Sequence, residues 1–370
     1  MSTDSSFPAH APGARLVVAM SGGVDSSVTA WLLAREGHEL VGLFMRNGVH
    51  VDAADAGKKS CCSVNDARDA RMVAAQLGIP FQAVDLKAEF RDVIRHFLSE
   101  YAAGRTPNPC AVCNRDLKFG RLIDFADELG AAGVATGHYA RIAIEDGRVA
   151  VRRGVDRKKD QSYQLFAVSE AHLGRARLPL GGYEKPAVRE LAAQANLRTA
   201  AKQDSQEICF VPGNDYRKLL EQEGVELHPG QLRDSAGREL GAHAGTELFT
   251  VGQRKGHGIG GREPLYVLST EPSTGTVVLG SRDECGTTSC AVDDLNWIGI
   301  DAPSGELRAC VQVRYHHDAA PATIHRDGAR ARIEFDEPVL AVAPGQGAAF
   351  YAPDPARGDR LIGGGWIGRD

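Results

Sequence analysis

Short apolar runs alternate with amphipathic stretches through the first half of the chain. The apolar runs predict buried strands at residues 16–19, 39–45, 81–86 and 134–136. Between them, apolar residues recur at helical spacing and predict helices near residues 26–33, 67–77, 90–101 and 117–129. Strands that alternate with helices predict an α/β fold, a doubly wound parallel sheet that binds ligands at the carboxyl ends of its strands.

The pattern changes at about residue 224, where short alternating runs are separated by turn sequences such as Asp-Ser-Ala-Gly at 234–237. This spacing is typical of all-β modules. We therefore expect a catalytic domain at 14–223, a small β-rich central domain at 224–283 and a C-terminal β-barrel at 284–370. Within the first domain, Asp146 and Gly147 predict a hairpin turn in the basic stretch 141–159, whose charges indicate either a solvated hairpin face or a stripe that faces RNA.

Composition narrows the class of protein. The chain has 370 residues, 43% of them hydrophobic and 25% charged, which is typical of a soluble protein with two or three domains. It has no apolar run of 18 residues and no signal-peptide pattern, so we expect a cytoplasmic protein without a membrane partner. Eight cysteines are too few for a secreted disulfide scaffold. The net charge of −5 argues mildly against a nucleic-acid partner, although the distribution of charge decides this.

A glycine-rich turn follows the first predicted strand, with the sequence Met-Ser-Gly-Gly-Val-Asp-Ser-Ser at 20–27. Glycines let a phosphate approach the backbone, and the amides that begin the next helix point toward it. An ordinary turn between strand and helix is the alternative. The turn has no lysine, so it is not the GxxxxGK[ST] loop. Its spacing resembles the PP-loop of the N-type ATP pyrophosphatases, which implies cleavage of ATP between its α and β phosphates and a Mg²⁺ ion held in part by Asp25.

A cysteine pair lies in the second informative segment, Arg-Thr-Pro-Asn-Pro-Cys-Ala-Val-Cys-Asn-Arg at 105–115. Two prolines prevent a helix from continuing, so we expect an ordered loop that presents Cys110 and Cys113 before a helix begins near Arg115. A helix N-terminus and a nearby arginine would favour the thiolate. Two merely spaced cysteines are the alternative. A zinc ribbon would require a second CxxC pair, which the sequence lacks, and Cys209 is a remote candidate for a third sulfur.

Six segments in order resemble the bacterial tRNA-specific 2-thiouridylases, and the match extends from about residue 16 to the C-terminus. They are SGGVDSS at 21–27, the cysteine-pair segment with Lys118 and Phe119, ATGHYAR at 135–141, KDQSY at 159–163, SQEICF at 205–210 and TVGQRKG at 250–256. The resemblance implies an enzyme that adenylates the C2 oxygen of the wobble uridine of tRNA. Sulfur, delivered as a persulfide from a sulfur-donor protein, then replaces that oxygen.

The resemblance also implies roles for individual residues. Cys209 would carry the persulfide, and Cys113 would be the partner thiol. Residues implied in ATP binding are Ala19, Met20, Ser21, Gly22, Gly23, Val24, Asp25, Ser26, Met45 and Gly137. Residues implied at the target base are Asn108, Pro109 and Cys110. Residues implied in tRNA binding are His138, Lys159, Asp160, Gln161, Arg314, Tyr315 and Gln346.

One departure from the family changes the expected chemistry. Cys110 stands where most relatives have an aspartate that is usually assigned acid–base work. A carboxylate with a pKa of about 4 is ionised at pH 7, whereas a thiol with a pKa of about 8.5 is mostly protonated. Cys110, Cys113 and Cys209 could instead hold three irons of a [4Fe–4S] cluster whose fourth iron binds sulfide. A persulfide relay and a cluster both remain open.

Two other functions are compatible with parts of the sequence. Another ATP pyrophosphatase, such as an amidotransferase-type synthetase acting on a small molecule, would explain the glycine turn but would leave the cysteines and the β modules without a role. A non-catalytic RNA-binding or sulfur-carrier protein would not need the glycine turn. Release of AMP and pyrophosphate with and without tRNA separates these classes.

Overall fold

The computed structural model describes residues 8–48, 64–203, 208–211, 215–260 and 263–369. In these ranges the strands are β1 (Arg15–Ala19), β2 (Glu39–Arg46), β3 (Phe81–Asp85), β4 (Gly133–Ala135), β5 (Ala140–Glu145), β6 (Arg148–Arg153), β7 (Ala176–Arg177), β8 (Gly230–Asp234), β9 (Glu239–His243), β10 (Tyr266–Glu271), β11 (Thr276–Gly280), β12 (Gly286–Trp297), β13 (Glu306–Gln312), β14 (Ala320–Asp327), β15 (Arg330–Leu340), β16 (Gly347–Ala352) and β17 (Arg360–Ile367). The α-helices are α1 (Val24–Arg35), α2 (Val64–Leu77), α3 (Lys87–Ala102), α4 (Pro109–Cys113), α5 (Leu122–Glu128), α6 (Glu170–Leu173), α7 (Lys185–Gln194) and α8 (Tyr216–Gln222).

The first sheet is parallel, with the order β3-β2-β1-β4-β7. Successive side chains of a strand point to opposite faces. Leu16 and Val18 of β1 pack with Val28 of α1, whereas Val17 packs on the other face with Leu122 of α5. Because β1 is buried on both faces, its sequence is a continuous apolar run. The doubly wound parallel sheet that the sequence predicts is confirmed.

The cysteine-pair segment differs from its prediction, because Cys110 and Cys113 lie on helix α4 rather than on a loop. Pro109 occupies the first turn of this helix, where a missing N–H costs nothing. The Asn108 side chain caps the turn by accepting a hydrogen bond of 3.1 Å from the Ala111 amide. A π-helical segment, Asn114–Arg121, then leads into α5. The expectation of a loop was wrong because Pro109 lies in the first turn, where a proline does not interrupt a helix, and because the Asn108 side chain caps that turn.

Two β modules follow, as the sequence predicts. Strands β8 to β11 form a small sheet in the order β10-β11-β8-β9 around Leu232, Val267 and Leu279. Strands β12 to β17 pair antiparallel, and pairing of β12 with β17 closes them into a six-stranded barrel. The boundaries at 223/224 and 283/284 remain predictions.

The hairpin β5–β6 turns at Asp146 and Gly147, which both have positive φ angles, of 51° and 73°. That turn confirms its prediction. The hairpin comes from the first half of the chain but pairs through β6 with barrel strand β17. It therefore joins the parallel-sheet region to the barrel. None of the helices in the described ranges combines the length and apolar character that crossing a membrane would require.

Candidate active site

A cleft opens at the carboxyl edge of the parallel sheet, beyond the ends of β1, β2 and β4. Its volume is about 190 Å³. Parallel α/β sheets bind ligands at this edge because the loops that leave the strand ends converge there. The residues lining the cleft that the sequence had singled out as site residues are Ala19, Met20, Ser21, Asp25, Ser26, Met45, Gly137, His138 and Gln161. Leu43, Phe44, Lys118 and Thr136 complete the lining.

The turn between β1 and α1 is built for close backbone contact. Gly22 has a φ of +72°, and a Cβ atom there would lie 2.2 Å from the carbonyl oxygen of Asp66. Gly137, beyond β4, lies so close to the start of α1 that a Cβ atom would be 3.1 Å from the Ser26 nitrogen. Gly22 is therefore favoured by its backbone angle and by its close contact with α2, and Gly137 by its close contact with α1.

The carbonyl oxygens of the turn are occupied from within the protein. Gly23 O accepts hydrogen bonds from the hydroxyls of Ser26, at 3.2 Å, and Ser27, at 2.8 Å. Gly22 O accepts a hydrogen bond of 2.9 Å from the Lys202 ammonium. The first amides of α1 have no intrahelical acceptor, and they carry the positive end of the helix dipole. A turn with its carbonyl groups bound and helix amides at its end favours an anion. Val24 is buried at the start of α1 rather than lining the cleft.

Asp25 forms an ion pair that the sequence did not reveal. Its two carboxylate oxygens accept hydrogen bonds from Lys185 Nζ at 2.7 and 2.8 Å, and Oδ1 also accepts one of 2.7 Å from the Tyr139 hydroxyl. Lys185 lies at the start of α7, 160 positions along the chain, so no local spacing links it to the turn. A cation that is to bind Asp25 directly must share these oxygens with Lys185 or displace it.

His138 and Gln161 also line the cleft, and each forms a hydrogen bond with a neighbouring residue. His138 is 5% exposed, and its Nδ1 shares a hydrogen bond of 2.7 Å with the Thr136 hydroxyl. Burial, together with the nearby Lys118 ammonium, lowers the pKa of His138 well below 6.5, so the ring is neutral at pH 7. Gln161 Oε1 accepts a hydrogen bond of 3.0 Å from the Tyr139 amide. Lys118 also lines the cleft, and the sequence alone had not indicated a role for it there.

Asp160 lies inside the protein and forms hydrogen bonds there. It accepts hydrogen bonds from Arg153 Nη1 at 3.0 Å, from the Gly154 amide at 2.9 Å and from the Ser162 amide and hydroxyl at 3.1 and 3.0 Å. Both Asp160 and Arg153 are buried. Lys159, its neighbour, is half-buried, and its amide bonds to Asp156. Asp160 therefore holds the end of the β5–β6 hairpin in place.

Two of the three cysteines of interest pack against one apolar cluster. Cys113 of α4 and Cys209 both pack against the cluster that contains Phe90, Phe97 and Phe210. Both cysteines are half-buried, whereas Cys110 is exposed. The structure thus brings Cys113 and Cys209 to one cluster although they are far apart in the sequence. Residues 205–207 of the SQEICF segment lie outside the described ranges.

A barrel loop supports the residues before α4. Gln346 Nε2 donates hydrogen bonds to the carbonyl oxygens of Thr106, at 3.1 Å, and Pro107, at 2.8 Å. The Thr106 amide donates to Pro344 O at 2.7 Å. Gln346 and Asn108 are both buried. The C-terminal barrel therefore fixes the loop that precedes Asn108, Pro109 and Cys110.

Arg314 and Tyr315 lie where the barrel meets the other modules. Arg314 donates a hydrogen bond of 3.2 Å to Val251 O of the central module, and burial lowers its pKa from the ordinary arginine value. Burial, with a smaller contribution from the nearby Asp160 carboxylate, raises the pKa of Tyr315 to about 12. The Tyr315 ring stacks on Tyr163 with a centroid distance of 6.3 Å. Tyr315 therefore packs against the segment that includes Tyr163.

A metal or cluster site requires several ligating side chains to converge in the described part of the chain. There, no group of three or more His, Cys, Asp or Glu side chains is arranged to hold a metal ion. Cys110, Cys113 and Cys209 therefore do not form a three-thiolate site in this arrangement. The residues do not fit a [4Fe–4S] cluster as they stand, although they bring two cysteines to one apolar cluster.

Comparison with known proteins gives matches along most of the chain. Three family models match, described as tRNA methyl transferase HUP domain at 14–213, tRNA methyl transferase PRC-barrel domain at 217–281 and Aminomethyltransferase beta-barrel domain at 287–367. A tRNA-specific 2-thiouridylase MnmA from Solibacter usitatus is 46% identical over 376 residues, which cover 96% of this chain and 100% of the relative. The protein of that name from Geobacter metallireducens is 47% identical over 360 residues, covering 95% and 96% of the two chains.

Proposed function

The chain belongs to the tRNA-specific 2-thiouridylase family, and from this membership we propose that it uses ATP to convert the wobble uridine of tRNA into 2-thiouridine. The observation that carries the proposal is the cleft at the sheet edge. It gathers backbone and side chains from three strand ends around a turn suited to phosphate. An oxygen bound to C2 of uracil leaves poorly, and transfer of AMP to it creates a better leaving group.

ATP binds across this cleft in the proposed function. The amides at the start of α1 contact its phosphates, and Met45 and Gly137 border the adenosine. Ala19, Met20, Ser21, Gly22, Gly23, Val24 and Ser26 form the strand end and turn that enclose the nucleotide. Asp25 would hold the Mg²⁺ ion that accompanies the phosphates, and Lys185 would then yield part of its contact with Asp25.

Sulfur reaches the base through two cysteines. A sulfur-donor protein loads Cys209 as a persulfide, Cys–S–SH. Its terminal sulfur attacks C2 of the adenylated uridine, a C–S bond forms, and AMP leaves with the C2 oxygen. The Cys113 thiolate then attacks the Cys209 sulfur, which leaves sulfur on C2 and joins the two cysteines as a disulfide. A thiol reductant supplies the two electrons that restore both cysteines. The packing of Cys113 and Cys209 on one apolar cluster supports this pairing.

Cys110 stands where the family resemblance implies an aspartate. Asn108, Pro109 and Cys110 contact the target base, and a protonated Cys110 can donate a proton to the departing oxygen where a carboxylate could not. The [4Fe–4S] alternative requires Cys110, Cys113 and Cys209 to gather, which the described arrangement does not support. Iron and sulfide analysis after anaerobic purification tests it: fewer than 0.5 equivalents of iron per chain is expected on a persulfide relay, and about four on a cluster.

A tRNA with a wobble uridine is the proposed substrate, and the cytoplasm is the proposed location. His138, Lys159, Asp160, Gln161, Arg314, Tyr315 and Gln346 are the residues proposed to contact or support the tRNA. The burial of His138, Asp160 and Gln346 favours support rather than direct phosphate contact for these three residues. Tyr315 is partly exposed, and an aromatic ring of this kind can stack against RNA bases.

The experiment that tests this function measures AMP, pyrophosphate and 2-thiouridine together. With ATP, Mg²⁺, unmodified tRNA and a persulfide donor, we expect AMP release that depends on tRNA and one 2-thiouridine for each AMP. Turnover of ATP without tRNA would instead indicate a synthetase with a small-molecule acceptor. No ATP cleavage under any condition would indicate a non-catalytic RNA-binding or sulfur-carrier protein.

A further inference from the structure

Lys202 contacts the glycine turn from the side of α2. Its ammonium donates hydrogen bonds to Gly22 O at 2.9 Å, to Asp66 Oδ1 at 2.6 Å and to Asp69 Oδ2 at 2.8 Å. An ammonium has three N–H donors, and these contacts use all three. Burial alone would lower the pKa of Lys202, but the hydrogen bonds to Asp66 and Asp69 outweigh it and raise that pKa. Lys202 is therefore charged at neutral pH.

The backbone of Lys202 is fixed as firmly as its side chain. Arg189 Nη1, on α7, donates to Ala200 O at 3.2 Å and to Lys202 O at 3.0 Å. The Lys202 amide in turn donates to Thr199 O at 2.9 Å. Because both ends of the side chain are anchored, the position of the ammonium is set by α7 and α2 rather than by the turn that it contacts.

The contact with Gly22 O determines the direction of a neighbouring amide. The Gly22 carbonyl and the Gly23 N–H belong to one planar trans peptide, so they point in opposite directions. A glycine-rich turn rotates such a peptide easily, because glycine accepts many backbone angles. With its carbonyl held by Lys202, the Gly22–Gly23 peptide is restricted to one orientation.

Charge alone does not account for this arrangement. Asp66 and Asp69 place two carboxylates on one ammonium, and Arg198 adds one further cation at 3.1 Å from Asp69. These four side chains together carry no net charge, so they offer a triphosphate little electrostatic attraction. The distinctive contribution of Lys202 is its hydrogen bond to the turn; within the described part of the chain, Arg198 contacts Asp69 instead.

We propose that Lys202 is a positioning residue for the nucleotide, which holds the Gly22 carbonyl toward α2 and thereby keeps the Gly23 amide directed at the pyrophosphate portion of ATP. The turn itself has no lysine, and Lys202 acts on the nucleotide indirectly, by orienting the Gly22–Gly23 peptide. The proposal rests on the proposed function, because it requires ATP in the cleft. AMP lacks the β and γ phosphates and does not depend on this amide.

The test compares nucleotides by calorimetry. We expect Lys202→Met to weaken binding of Mg²⁺ and α,β-methylene ATP tenfold or more, while the dissociation constant for AMP stays within twofold. Arg198→Met is the matched control, because it removes a cation from Asp69 without touching Gly22. It should stay within twofold for both nucleotides. An equal loss for both nucleotides in Lys202→Met would indicate general damage to the cleft and would overturn the proposal, as would unchanged binding.

Two more variants separate orientation from charge and from misfolding. Asp66→Asn combined with Lys202→Met removes one of the two carboxylates that the lysine leaves behind, and Asp69 keeps its ion pair with Arg198. Recovery of ATP-analogue binding in that variant would show a charge effect and contradict the proposal, whereas continued loss supports it. If circular dichroism shows that Lys202→Met does not fold, Lys202→Arg carries the same comparison, with a loss of threefold or more expected for the ATP analogue alone. An unaltered protein that binds no ATP analogue would contradict the proposed function itself.

Discussion

Replacing Lys185 by Met tests the ion pair at the centre of the cleft. The change removes the ammonium that contacts both oxygens of Asp25 and keeps an apolar stem of similar length. Asp25 then keeps the Tyr139 hydroxyl as a hydrogen-bond donor. A carboxylate that loses its cation while partly buried is destabilised, because water replaces the ammonium only incompletely.

The burial of the two side chains sets the size of the effect. Breaking a fully buried pair costs about 3–5 kcal/mol, and an exposed pair contributes about 0–1 kcal/mol. The side chain of Lys185 is 10% exposed and that of Asp25 is 33% exposed, so this pair lies between the two limits. We expect Lys185→Met to lower the free energy of unfolding of the α/β domain by about 1–2 kcal/mol.

Hydrogen exchange of the α1 amides measures this loss, because α1 carries Asp25 and its core amides report on opening of the domain. Lys158→Met is the matched control at an exposed lysine, and it should change the free energy by less than about 0.5 kcal/mol. Asp25→Asn and the double variant complete a cycle, with a coupling energy of about 1–2 kcal/mol expected. Additive effects in that cycle, or a Lys185→Met loss no larger than that of the control, would refute the reasoning.

Three further predictions concern other parts of the site. Cys209→Ser should retain ATP and tRNA binding but form no 2-thiouridine in a mass-spectrometric assay, and retained thiolation would contradict the persulfide role. Gly22→Ala should weaken ATP binding tenfold or more, because an alanine at this positive φ costs about 1–2 kcal/mol and its Cβ would clash with the Asp66 carbonyl. Gly182→Ala is the control: its Cβ would have no atom within 4 Å, and ATP binding should not change. Buried neutral His138 stabilises the fold above pH 6.5, and this contribution should decline as pH falls below 6.5, by up to about 1.4 kcal/mol per pH unit. A His138→Gln variant with the same pH slope in urea unfolding would argue against that assignment.

The parallel sheet and the glycine turn could be predicted because their signals are local. The apolar run of β1 and the two glycines that follow it lie within a few residues of each other. By contrast, Lys185 and Lys202 contact Asp25 and Gly22 across 160 and 180 positions. Their positions depend on how α7 packs against α1, and a pair of lysines in a sequence carries no sign of that contact.

The basic stretch 141–159 shows a second reason why sequence reasoning stops short. Its arginines suggest either a solvated face or an RNA-facing stripe. In the structure, Arg152 pairs with Glu145 and with Asp354 from the barrel end of the chain, and Arg153 pairs with Asp160 and Asp359. Counting charges within the stretch could not reveal partners that lie two hundred positions away.

The most direct test of the central claim is the stoichiometry between AMP and 2-thiouridine. Purified protein is incubated with a tRNA transcript that has a wobble uridine, with ATP and Mg²⁺, a persulfide donor and a thiol reductant. We expect one 2-thiouridine at the wobble position for each AMP released, and no 2-thiouridine when ATP is omitted. AMP release that continues at the same rate without tRNA, or thiolation that proceeds without ATP, would contradict the account.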